Sequence, residues 1–278
     1  ATSGEGLIQR PWLRMFKPVA RVGGGWLLYR LEAKDYEGLV GGSAAGARQP
    51  SAVAADVYLR WLLYSGQYER CVAEASRLGK THRGLNTHGG RAKVQLGQYV
   101  EAQEIFVACG DALCAEMARS AAAGVAGGDR AQLARACWMV MVLEGEISQR
   151  VVAKLGQVMA AGGAVGAADL SNDERVLQGL KWLFAGEKLV EANELLRDAK
   201  LDPLAAKLLS PYKKLADRCK PGPTIGRLAN SLFCQRRLPC KYESYLKLYK
   251  LYEKHPYEFN VVHYLGMYQM SLRRHGCF

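Results

Sequence analysis

Leu96-Gly97-Gln98-Tyr99-Val100-Glu101-Ala102, closed by Phe106, is the stretch on which the fold turns. Glycine has no Cβ and takes positive φ freely, so Gly97 permits a sharp turn between two antiparallel helices. Tyr99 then plugs the gap between them, Ala102 lets the second helix approach closely, and Phe106 lies on the same face one turn later. The same grammar stands earlier at Gly66, Tyr68, Cys71 and Ala75, with 31 residues between Tyr68 and Tyr99. Two helix-turn-helix units in succession are expected.

Outward from these units the chain reads as helical. From Ser51, the residues Ala54, Val57, Tyr58, Trp61 and Leu62 recur at spacings of three and four, one apolar face of a helix. Ser171-Asn172-Asp173-Glu174 has the S-x-x-E form of a capping box and precedes Val176, Leu177, Leu180, Leu183 and Phe184, so a helix starts there. Asp202-Pro203 and Ser210-Pro211 each set a capping residue before a proline, which predicts two short helices in succession. Lys220-Pro221-Gly222-Pro223 ends the second, placing a boundary near 219. Few segments alternate, and no Asn-Gly or Asp-Gly turn joins them, so strands are not expected.

The turn grammar resembles that of the tetratricopeptide repeat family, whose helix-turn-helix units recur at about 34 residues. The match is best over residues 54–110. Echoes stand at Gly145 with Ile147, where Arg150 replaces the expected small residue, and at Gly186 with Leu189, Ala192 and Leu196. The resemblance implies an α-solenoid that presents a groove to protein partners. The related pentatricopeptide class reads single-stranded RNA one base per repeat; here the spacings are irregular and no polar pair recurs at a fixed place.

Composition bounds the function. With 278 residues, 49% hydrophobic and 23% charged, there is material for a sizeable core. The formal charge of +12 points to acidic partners: nucleic acid, anionic lipid or an acidic protein. From Pro211 to Phe278, thirteen Lys and Arg stand against four Asp and Glu, a net of +9. The candidate partner-binding residues there are Arg227, Arg236, Arg237 and Lys241 around the Pro239 turn, then Lys247, Lys250 and Lys254 on one helical face. Another face of that helix carries Tyr242, Tyr245, Leu246, Tyr249 and Tyr252; it is expected to be a core-facing aromatic stripe backed by the solvated lysines, or alternatively part of an interface. The second basic end is the N-terminal thirty residues. Arg10, Arg14, Lys17 and Arg21 are interleaved there with Leu7, Ile8, Trp12, Leu13 and Phe16, in the style of a mitochondrial targeting segment or a basic arm.

Other features carry bland readings. Gly79-Lys80-Thr81 ends like a phosphate-binding loop, but Glu74 stands where that motif needs glycine, so it reads as a helix C-terminus. His82 and His88 flank a polar connector and are expected to be solvated. Cys219, Cys234, Cys240, His275 and Cys277 could supply four zinc ligands, yet no C-x-x-C pair is present, and free thiols in a reducing compartment are expected. The uncharged run Leu155–Ala168 is too short to span a bilayer.

The expectation is therefore an all-α chain. Residues 1–50 form a basic, largely extended arm ordered by docking, 51–218 a tetratricopeptide-like helical array, and 219–278 a basic, tyrosine-rich helical cap. Gly66, Tyr68, Gly97, Tyr99, Ala102 and Phe106 are its repeat-turn residues. No catalytic, cofactor or metal-binding residue is assigned. The expected role is that of a non-catalytic scaffold or accessory subunit of a mitochondrial assembly on the matrix side, soluble or peripheral. A respiratory-chain or ATP-synthase complex is preferred, and association with RNA is the alternative.

Overall fold

The computed structural model describes residues 20–22, 26–28, 31–40, 51–145, 149–163 and 169–274, with backbone only at 20–22, 26–28 and 273–274. Arg10, Arg14 and Lys17 lie outside the described residues, as does the Arg21 side chain. The described residues form fourteen α-helices and one two-stranded hairpin. The chain divides into two compact units, residues 1–118 and 119–278.

The first unit begins with antiparallel strands β1 (Ala20–Val22) and β2 (Trp26–Leu28), in which Arg21 pairs with Leu27. The hairpin departs from the expectation of no strands. The residues between its strands are Gly23-Gly24-Gly25, a three-residue glycine connector rather than the two-residue turns that signal hairpins most strongly. Short helix α1 (Ala33–Gly38) follows and packs against α2. Leu39 and Val40 are buried in the unit's core, Tyr36 stacks on Trp61 with ring centroids 5.1 Å apart, and Glu37 pairs with Arg70 at 3.0 Å.

Helices α2 (Ala52–Tyr64), α3 (Tyr68–Gly79), α4 (Asn86–Leu96) and α5 (Tyr99–Cys109) pack as sequence neighbours. Ser51 caps α2 by accepting from the Ala54 N–H. Gly66 and Gly97 take φ of 75° and 78°, and each turn closes alike: Gln67 N–H donates to the Leu62 carbonyl and Gln98 N–H to Lys93, both at 2.9 Å. Cys71, Ala75, Ala102 and Phe106 are all essentially inaccessible, and Tyr99 is buried. Gly90 of α4 makes room for Phe106, since a Cβ there would stand 2.6 Å from its ring.

α6 (Ala112–Gly127) carries the division between the units. The second unit holds α7 (Arg130–Leu143), α8 (Gln149–Ala161), α9 (Asn172–Ala185), α10 (Leu189–Asp198), α11 (Pro203–Cys219), α12 (Ile225–Cys234), α13 (Lys241–Lys254) and α14 (Phe259–Arg274). α7 is its hub. Arg130 reaches Glu174 at 3.1 Å and donates to the carbonyls of Met159 and Gly163 at 2.7 and 2.5 Å, tying the end of α8 to the start of α9. Trp138, fully buried, donates to Asp173 at 2.8 Å. The capping box at Ser171 and Glu174 forms as read. Gly186, at φ 69°, ends α9 with the same hydrogen-bond pattern as Gly66 and Gly97, and Ala192 and Leu196 of α10 are buried behind it.

One boundary is corrected. Asp202 caps α11 and Pro203 opens it, but Ser210-Pro211 starts no second helix; Pro211 lies inside a single helix that runs to Cys219. Pro211 denies a donor to the carbonyl of Lys207. Both residues are on the exposed side, where water can solvate that carbonyl, while Ala205, Leu209 and Ala216 anchor both halves.

Candidate interaction surface

The C-terminal helices α12, α13 and α14 close around one apolar cluster made of Ala229, Leu232, Phe233, Leu248, Val261, Leu265, Tyr268 and Leu272. This cluster fixes which side of each helix faces outward. On α13 the core side is Ser244 and Leu248, with Tyr245, Leu251 and Tyr252 partly buried against it. Tyr242, Leu246 and Tyr249, at 58%, 41% and 41% exposure, face solvent. The expected core-facing stripe is therefore split: Tyr245 and Tyr252 belong to the core, and the other three form an outward flank. Tyr245 marks where that flank borders α14, since its hydroxyl accepts from Gln269 at 3.2 Å and its ring meets Tyr268 at 5.6 Å.

Lys247, Lys250 and Lys254 are exposed on one side of α13, as their spacing required. No carboxylate lies within ion-pairing distance of them among the described residues, nor of Arg218, Arg227, Arg237 or Lys241. Arg227 and Arg237 are exposed; Lys241 is half-buried at the start of α13. Arg236 differs. Its guanidinium lies 3.7 Å from the Phe233 ring centroid and donates to the Phe233 carbonyl at 3.0 Å. Burial, then the nearby Arg237, lowers its pKa. Arg236 thus holds α12 to the following turn, while Arg227, Arg237, Lys247, Lys250 and Lys254 face solvent. Arg218 joins them through the fold, at the end of α11, and no local pattern around it in the sequence marks it out.

The structure also brings to this surface residues that sequence reasoning missed. α14 exposes Phe259, Val262, Met267 and Met270 at 75%, 45%, 38% and 54%, opposite its buried side, and Tyr257 in the preceding turn is 98% exposed. A signal was present: from Phe259 to Leu272 no Asp, Glu, Lys or Arg occurs, although Asn260 and His263 stand among the exposed positions.

Beneath the surface, Cys219, Cys234 and Cys240 are buried, and burial pushes the Cys219 thiol up to about 12. All seven described cysteines are free; His275 and Cys277 lie outside the described residues, among which no group of His, Cys, Asp and Glu is arranged to hold a metal ion. In the first unit His88 overturns its expectation of solvation. It is 4% exposed, and its Nε2 lies 2.8 Å from Asp56 Oδ1, which bridges α4 to α2. Burial lowers its pKa against the opposing pull of Asp56. Gly79 ends α3, and a Cβ there would collide with the Asn86 side chain.

These features define an all-α protein of helices packed as sequence neighbours, with a basic and aromatic outer surface on its last three helices. No helix among the described residues is long and apolar enough to cross a membrane. No family model, curated protein or solved structure matches the chain.

Proposed function

We propose that this chain is a non-catalytic helical scaffold that holds other protein subunits together in a large assembly, with its C-terminal helices as the contact surface. The carrying observation is that the last helices expose Tyr242, Leu246, Tyr249, Phe259 and Met270 together with the cations Arg227, Arg237, Lys247, Lys250 and Lys254, none of which is in an ion pair among the described residues. Aromatic residues, methionine and arginine are the types enriched at protein interfaces, whereas unpaired like charges in such number favour a partner of opposite sign. The tetratricopeptide-like turns at Gly66 and Gly97 support the same reading, since helix pairs of that kind serve protein contact. A mitochondrial assembly is the proposed setting, on the strength of the basic, aromatic first thirty residues.

The unpaired cations also favour an RNA-associated role. Counterion release then makes binding fall steeply with salt, roughly a thousandfold or more between 50 and 200 mM for six or more phosphate contacts. The deciding experiment is retention of partners by the native protein in mild detergent, split between nuclease-treated and untreated halves and washed at rising salt. One fixed set of protein partners in both halves, retained through the washes, is the expected result. Nuclease-sensitive loss moves the assignment to RNA.

A further inference from the structure

We draw no further inference here: the strongest candidate, the cavity of about 280 Å³ between α3, α4 and α5 that is lined by Val72, Ala75, Gly89, Ile105 and Cys109, carries none, because Arg83, its one charged lining residue, is already bonded to the Ala108 carbonyl at the end of α5 and nothing in the structure shows what fills it.

Discussion

At the scale of single residues, glycines separate into those that the packing needs and those that it does not. Gly90 lies against the Phe106 ring, so Gly90→Ala should destabilise the first unit by about 1–2 kcal/mol despite alanine's better helix propensity. Adding Phe106→Leu should recover part of that loss in a double-mutant cycle followed by urea unfolding. Gly156 of α8 faces open space, and Gly156→Ala should raise stability by roughly 0.5–1 kcal/mol. His88 gives a pH signature. Its folded pKa lies below the ordinary imidazole value of 6.5, so the folded state resists protonation. Its contribution to stability is complete above about 6.5 and is lost as pH falls below that. Midpoints of urea unfolding measured from pH 7.5 to 5 should decline over this window, and His88→Gln should flatten the decline. Phe106 and Ala102 were legible in the sequence because their roles are local to one turn. Gly90 and His88 were not, since one answers to the ring of Phe106 across the turn and the other to Asp56 on α2, and neither pairing leaves a mark in its own local pattern.

Among the elements, caps were the most legible feature, because a cap is a contract between residues three apart. Ser171 and Asp202 accept the backbone N–H groups expected of them, and the structure adds Ser51 as the cap of α2. Pro211 misled for the complementary reason: its local signal is genuine, but burial of Leu209 and Ala216 on either side carries the helix through. Pro211→Ala should return a donor to the Lys207 carbonyl and stabilise the second unit by about 1 kcal/mol or more, read from its unfolding midpoint. The α13 tyrosines were misplaced because periodicity shows which residues share a face, not which face the neighbouring helices cover. Arg130 shows the weight one side chain can bear between elements. Arg130→Met removes the bonds to Glu174, Met159 and Gly163 together and leaves Glu174, largely buried, with only Ser171. A loss of about 2–3 kcal/mol is expected in denaturant unfolding.

For the whole molecule, net charge was readable at once, since it is a sum, but which cations remain available was not. Arg130, Arg135 and Arg236 are engaged in internal bonds, whereas Arg237 and the α13 lysines face water. The thiols offer a probe of both units. Burial pushes Cys71 and Cys219 up to about 12 and Cys137 to about 11, while Cys109 is partly exposed. In the native protein a thiol reagent should therefore label Cys109 well before Cys71, Cys137 or Cys219, as peptide mapping would show. Labelling of Cys71 and of Cys137 in rising denaturant should then follow the opening of each unit separately.

The uncharged outer side of α14 also bears on how much of this chain a cell can keep. Copies made in excess of their partner would carry bare Phe259, Val262, Met267 and Met270, the kind of surface that chaperones hold and proteases clear. The lifetime of the unassembled chain would then be short and that of the assembled chain long, so that subunit stoichiometry is enforced by decay rather than by matched synthesis.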